Sequence, residues 1–231
     1  MNVNDTTSPE ATKDMLEMIF DRQQELMEKY IEIENRSGIG KGILNGEPFD
    51  IDRPRSQAVC KDFAWRITEE ITEAMEAFEL SKEEMGRFHS SSNDEKYKSS
   101  AMESILHTKE ECIDALHFLV ELYLIVGITP SNLLGDSGNK LENAFKASMM
   151  KRPADPYQPI HYLGLAMNCL KQKPWKQTHM NTDTRKFKLL LVTVFFEWVT
   201  FAKSLGLTAE STFDLYFRKS EVNKFRQGSN Y

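Results

Sequence analysis

The stretch that most constrains the fold is residues 110–126, EECIDALHFLVELYLIV. Its second half is apolar nearly all round, which indicates a helix that is buried on more than one side. Glu111 and Asp114 lie three residues apart, and the helical face that they share continues through Phe118 and Ile125. We therefore expect both carboxylates to point toward the interior, where an unpaired charge costs several kcal/mol.

Apolar residues recur with helical spacing over most of the chain. The segments that show this pattern are residues 14–34, 57–80, 102–126, 141–149, 160–170, 186–205 and 208–225. No useful length of sequence alternates apolar and polar residues with the period of two that is typical of a strand. The sequence therefore predicts an all-α fold, which we expect to form a single domain over residues 1–231.

The stretches between the helical segments have the composition of loops. Residues 35–55 are rich in glycine and proline, which predicts a mobile crossover, and the serines and mixed charges of residues 86–100 predict a polar connector. The Thr129-Pro130 pair predicts a helix start. Residues 1–13 are expected to be a disordered lead-in.

Composition and charge narrow the class of protein. The net charge of −6 speaks against a protein that binds nucleic acid. No apolar run reaches the roughly 18 residues that a membrane span needs. The chain begins without the basic and then apolar pattern of a signal peptide. Because its three cysteines are scattered, we expect reduced thiols in a cytoplasmic protein.

A second acidic helix, with Glu70 and Glu73 three residues apart, offers a partner for Glu111 and Asp114. If the two helices pack antiparallel, the two pairs of acids face each other, and four close carboxylates repel strongly unless cations lie between them. Carboxylate oxygens without thiolates suit magnesium or manganese, and magnesium commonly binds substrate phosphates. This pattern favours hydrolysis of a phosphoanhydride.

Two other interpretations of the acids are open. Acid pairs three residues apart are common on solvated helix faces. A carboxylate-bridged di-iron site needs Glu-x-x-His on two helices, and Asp114 and His117 resemble half of such a motif. Three residues after Glu73, however, comes Glu76 and not a histidine. A di-iron site is therefore disfavoured.

The C-terminal segment places three hydrogen-bond donors on one helical face. Lys219, Asn223 and Arg226 step by four and three residues. An ammonium, an amide and a guanidinium together suit the recognition of phosphate and sugar. The alternative is a solvated helix end whose basic residues complement the helix dipole.

These motifs carry a family resemblance. The segment EEITE (69–73) followed by ECID (111–114) resembles the EExxE…ExxD signature of the all-α NTP pyrophosphatases, which include the MazG-like proteins. The segments DALHF (114–118) and KSEVNKFRQ (219–227), with a later tyrosine, resemble motifs of the dimeric dUTPases and of the phage dCTP/dUTP pyrophosphatases. The helix that carries Gln23 and Gln24 matches the position of their first, base-reading helix.

The resemblance implies a Mg²⁺-dependent enzyme, with Mn²⁺ as a possible substitute, that converts dUTP and/or dCTP to the monophosphate and pyrophosphate. It also implies a homodimer. Glu70 would orient the attacking water, with Glu69 beside it. The implied metal ligands are Glu70, Glu73, Glu111 and Asp114, and the implied substrate contacts are Gln24, His117, Lys219, Asn223 and Arg226. His117 either touches the substrate or simply packs.

Two departures from the family pattern concern the base. Uracil-reading members have an asparagine three residues after the first-helix glutamine, where Met27 follows Gln24, and Ser220 replaces the usual asparagine after the lysine. Strict uracil specificity is therefore in doubt. A broader set of dNTP substrates and a non-catalytic helical interaction protein are the alternatives. The apolar segment 186–205 either contributes to the dimer or is an internal core helix.

Overall fold

The computed structural model of the chain describes residues 3–37, 49–90, 94–136, 138–148, 155–172 and 180–228, without the side chains of residues 4 and 30–37. This part of the chain forms a short 3-10 helix, Val3–Asp5, and eight α-helices. They are α1 (Met15–Ser37), α2 (Pro54–Ser90), α3 (Glu95–Val126), α4 (Pro130–Leu134), α5 (Lys140–Ala147), α6 (Tyr157–Cys169), α7 (Thr184–Ser204) and α8 (Ala209–Gly228).

The predicted all-α fold is confirmed, since the described residues contain helices and no strand. The break after α3 follows from local chemistry. Gly127 ends α3 with a φ of 68°, in the left-handed region that glycine adopts without strain. Thr129 then caps α4: its side chain accepts a hydrogen bond from the Asn132 amide while the Asn132 side chain accepts one from the Thr129 amide.

Helices α2 and α3 form a long antiparallel hairpin. Glu84 of α2 accepts hydrogen bonds from Ser100 and Ser104 near one end of α3, and Phe63 packs against Phe118 near the other, with ring centroids 6.3 Å apart. The pairing therefore runs in opposite directions along the two helices. It fixes which residues of α2 face which residues of α3.

The prediction of a polar connector over residues 86–100 was wrong for the described residues, whereas residues 91–93 lie outside them. Helix α2 continues to Ser90, and α3 begins at Glu95, where the Asp94 side chain accepts a hydrogen bond from the Lys96 amide. The polar residues of this stretch lie mostly on the exposed faces of the two helices, and Glu84 and Ser100 bond across the interface. Composition alone made these outer turns resemble a loop.

Helix α7 is an internal core helix. Phe187, Leu191 and Trp198 are fully buried within the chain. The indole nitrogen of Trp198 donates to the carbonyl of Cys112 at 3.1 Å, and the hydroxyl of Tyr123 donates to the carbonyl of Leu191 at 2.7 Å. These two hydrogen bonds tie α7 to α3, the most buried helix of the hairpin.

The N-terminal residues differ from the expected disordered lead-in. Val3 is buried, the Thr6 hydroxyl bonds to the carbonyls of Val3 and Arg218, and the Ser8 hydroxyl bonds to Asp214. Residues 3–8 therefore lie along α8. Within the predicted crossover 35–55, α1 extends to Ser37 and α2 begins at Pro54, while residues 38–48 lie outside the described residues.

Among the described residues, no single helix is both long and apolar enough to cross a membrane, although α7 and α8 taken together across their 99° bend satisfy that length and composition.

Candidate active site

The α2–α3 hairpin brings three acids together. Glu70 of α2 faces Glu111 and Asp114 of α3, and one carboxylate oxygen from each lies within 4.8 Å of the others. Glu111 is buried, whereas Glu70 and Asp114 are half-buried. The antiparallel register accounts for this meeting, because Glu70 is one turn beyond Arg66, whose guanidinium lies 5.6 Å from the Phe118 ring.

The other two acids of the α2 motif are more exposed. Glu73 lies outside the group of three, but its charge contributes to the raised pKa of Glu70. Glu69 is exposed on the neighbouring face of α2. The structure therefore joins three of the four expected ligands directly and leaves Glu73 at the margin of the group.

Burial and the neighbouring acids raise the pKa values of Glu70 and Asp114. Burial, a hydrogen bond with Glu111 and the nearby acids raise the pKa of Glu70 to about 8. Burial raises the pKa of Asp114 to about 6, although the Lys219 ammonium acts in the opposite direction. Acids whose pKa values are raised in this way gain stability from a nearby positive charge. A divalent cation can supply that charge in place of protons.

The donor set fits a hard divalent cation. Glu70, Glu111 and Asp114 present carboxylate oxygens, and the described part of this acidic group includes no thiolate or imidazole ligand. Oxygen ligands of this kind suit magnesium and manganese, which prefer carboxylates to softer groups.

His107 is a neighbour of the acids that the sequence reasoning missed. Its Nδ1 atom lies 3.0 Å from Oε1 of Glu111, one turn further along α3. A partner of this kind orients the carboxylate that it contacts. The spacing of four residues within a strongly predicted helix was a signal that could have identified it.

Helix α8 places Lys219 against the acids. The Lys219 ammonium lies 2.5 Å from Oδ2 of Asp114 and 3.9 Å from Oε2 of Glu110. Its side chain is mostly buried. The predicted basic face of the C-terminal helix therefore meets the predicted acidic cluster, and the two halves of the motif share one site.

The three residues of the predicted basic face, Lys219, Asn223 and Arg226, line one cleft. This cleft has a volume of 430 Å³, which is within the usual range for small-molecule sites. Its walls are formed by Val3, Asp5, Glu110, Lys219, Val222, Asn223 and Arg226. Asp5, which the N-terminal segment brings to the cleft, was not predicted from the sequence.

A buried polar network adjoins the acids. His117 is 5% exposed, and its ring stacks on Tyr216 with centroids 3.9 Å apart. Its Nδ1 atom lies 2.8 Å from Oε1 of Gln23, which also accepts a hydrogen bond from the Tyr216 hydroxyl. The same glutamine forms a side-chain hydrogen bond with Glu121.

Burial dominates the electrostatics of this network. It lowers the pKa of His117 to about 3, with help from the Lys219 charge and against a main-chain contact with Tyr216. It raises the pKa of Glu121 to about 7. Nε2 of His117 has no hydrogen-bond partner among the described residues, and a buried acceptor left in this way costs about 1–3 kcal/mol.

The structure separates the two adjacent glutamines of α1. Gln24, the expected base contact, is exposed and donates a hydrogen bond to Glu28 at 3.1 Å. Gln23 is buried in the network. Gln23 continues the apolar stripe of Ile19 and Phe20, and that periodicity was a signal that it faces the interior.

One comparison with known proteins gave a match. The family model described as dUTPase matches residues 74–231. The matched region includes α3 with Glu111 and Asp114, as well as α8 with Lys219. A search of curated proteins and a search of solved structures each returned no match.

Proposed function

The chain belongs to the dUTPase family, and from that premise we propose a Mg²⁺-dependent pyrophosphohydrolase that converts dUTP and/or dCTP to the monophosphate and pyrophosphate. Family membership supports a nucleotide pyrophosphatase of the dUTPase type. The observation that carries the finer proposal is the meeting of Glu70, Glu111 and Asp114, whose oxygens lie within 4.8 Å of one another.

The metal site is assigned to the four acids. Glu70, Glu73, Glu111 and Asp114 would hold magnesium, with manganese as an alternative, and the bound ion supplies positive charge that offsets the charge of the phosphates. The raised pKa values of Glu70 and Asp114 support this assignment, because both acids are more stable with a bound positive charge than a solvated carboxylate is.

Glu70 is the proposed catalytic base, with Glu69 as its exposed neighbour. In the hydrolysis, an oxygen of water forms a bond to phosphorus, the anhydride bond to pyrophosphate breaks, and the Glu70 carboxylate accepts the proton that the water loses. Glu70 is half-buried beside the proposed cation site, where its carboxylate can accept a proton from a neighbouring water.

The substrate contacts are assigned to the cleft beside the acids. Lys219, Asn223 and Arg226 line it together, and they would bind the phosphates and sugar through charge-assisted and amide hydrogen bonds. His117 is the proposed contact nearer the interior, because its Nε2 atom is a buried acceptor without a partner among the described residues.

Base recognition is assigned to α1, whose glutamines are Gln23 and Gln24. Gln24 would have to turn from Glu28 toward the substrate, whereas Gln23 already faces the site. Met27 packs partly against the hydrophobic core, and its thioether is a poor partner for a base edge. This environment favours a pyrimidine preference that is looser than strict uracil specificity.

A panel of deoxynucleotides tests the proposal. We expect pyrophosphate release from dUTP and/or dCTP to exceed release from dTTP, dATP and dGTP, and to require Mg²⁺ or Mn²⁺. Similar rates across the panel would instead indicate a broad housekeeping enzyme. If no nucleotide were hydrolysed with either metal, the chain would be a non-catalytic helical interaction protein.

A further inference from the structure

The amide of Gln23 has a defined orientation. Its oxygen accepts the hydrogen bond of the Tyr216 hydroxyl and faces Nδ1 of His117 at 2.8 Å. Its hydrogen bond with Glu121 partly offsets the rise that burial causes in the pKa of that carboxyl group, as an amide N–H donor does. The nitrogen of the amide therefore faces Glu121, and its oxygen faces the histidine.

This orientation favours one tautomer of His117. A neutral imidazole has one N–H donor and one nitrogen acceptor. The low pKa of His117 makes the ring neutral at physiological pH. Because Nδ1 faces an oxygen acceptor, Nδ1 carries the proton and Nε2 keeps its lone pair.

The His117 ring lies close enough to Lys219, a proposed phosphate contact, for the ammonium charge to lower its pKa. His117 is on α3 one turn after Asp114, and its ring stacks on Tyr216, which is one turn before Lys219 on α8. Nε2 is buried and has no hydrogen-bond partner among the described residues. A buried acceptor in this position suits a ligand that supplies a hydrogen-bond donor.

We propose that Gln23, Tyr216 and Glu121 are positioning residues that hold His117 in the Nδ1–H tautomer, so that Nε2 accepts a hydrogen bond from the nucleotide. The donor is either the 3′-hydroxyl of the deoxyribose or an N–H of the base. This inference rests on the proposed function for its ligand, whereas the tautomer is a property of the ligand-free chain.

The tautomer is tested by long-range ¹H–¹⁵N NMR of the ligand-free protein. We expect a protonated Nδ1 and a bare Nε2 in the wild type. Glu121→Leu removes the acceptor that orients Gln23, so both tautomers should appear, whereas Glu121→Gln should restore the wild-type spectrum because its amide oxygen can replace the carboxylate. The inference would be overturned by a wild-type ring that is protonated at Nε2 and directed at the Tyr216 carbonyl.

Kinetics with dUTP test the consequence. Glu121→Leu should raise KM about tenfold with little change in kcat, because it weakens a binding contact and leaves the acids intact. Glu84→Leu is the matched control, since Glu84 is also a buried glutamate but bonds Ser100 and Ser104. It should lower stability without moving KM or the tautomer. An unchanged KM in Glu121→Leu would contradict the inference.

Two analogues identify the donor. Removing the 3′-hydroxyl (2′,3′-dideoxyuridine triphosphate) or blocking the base N–H (N3-methyl-dUTP) should reduce kcat/KM of the wild type about tenfold for whichever group donates. The same analogue should cost His117→Phe nothing further. If both analogues behaved alike in the wild type and the variant, the ligand contact would be refuted. If no deoxynucleotide were hydrolysed, the proposed function would fail, while the NMR result would still decide the tautomer.

Discussion

At Glu70, the environment of a single residue links pH to stability. Its pKa rises from 4.5 to about 8 because of burial and the acids around it. The folded state therefore binds more protons than the unfolded state between these values. The stability that this group contributes is present below about pH 4.5 and is lost as the pH rises toward 8.

Glu70→Gln should consequently stabilise the metal-free protein at pH 8 by a few degrees in Tm. Near pH 4.5 the substitution should have little effect, because Glu70 is then protonated in the folded protein. Thermal unfolding in a chelator measures the difference at both pH values. Glu69→Gln is the control, because Glu69 is exposed on the same helix. A Glu70→Gln variant that is equally destabilised at both pH values would show that the carboxyl group is not under repulsion.

Lys219 is the residue that joins the acids to the cleft, since its ammonium lies 2.5 Å from Asp114 and lines the cleft with Arg226. Lys219→Met should raise KM for the triphosphate about tenfold or more through the loss of a charge-assisted contact. Steady-state kinetics with Mg²⁺ measures this change. Lys146→Met, which removes an exposed ion pair with Glu142, should leave KM unchanged. Equal KM values for the two variants would remove Lys219 from the phosphate site.

The sequence predicted the positions of some site residues and not of others. Glu111 and Asp114 could be placed in the interior because their helical face continues into apolar residues. The choice between Gln23 and Gln24 was different, because neighbouring residues of a helix point about 100° apart and only packing against α3 and α8 sets the phase. Glu121 lies among apolar residues of α3, and the sequence around it did not indicate that it bonds to Gln23 of α1.

At the level of elements, the α2–α3 hairpin carries the register of the site. Glu84 ties its distal end through Ser100 and Ser104. Glu84→Leu should reduce the free energy of unfolding by about 1–2 kcal/mol, because two hydroxyl groups lose their partner in a partly buried interface. Chemical denaturation measures this loss. A loss of dUTP hydrolysis in folded Glu84→Leu would indicate that the distal end controls the acids, contrary to our account.

The length of these helices could not be read from composition. Serines and alternating charges between residues 86 and 100 are typical of loops, and the helical period is weak where both faces are polar. Tertiary pairing extends α2 to Ser90 and starts α3 at Glu95. The strongly apolar part of α3 was predicted correctly because its burial leaves a periodic signal.

For the whole molecule, the helical periodicity of the apolar residues predicted the all-α fold. It does not predict whether two chains associate. One face of α7 is buried within its own chain through Phe187, Leu191 and Trp198, which leaves only its outer face available to the expected homodimer. Large apolar side chains are exposed on this face and on the hairpin, among them Leu189 of α7, Trp65 of α2 and Leu106 of α3. We expect light scattering to give twice the chain mass of 26.7 kDa at micromolar concentration. A single-chain mass over the same range would exclude the dimer.

The proposed function requires a cation between the acids of α2 and α3. Titration with Mn²⁺, followed by the loss of the free-ion electron paramagnetic resonance signal, measures that binding directly. We expect saturable binding to the wild type, and a weakening of more than about tenfold in Glu111→Gln with unchanged helix content. Wild-type protein that leaves the Mn²⁺ signal unaltered, or a variant that binds as well as the wild type, would contradict the central claim.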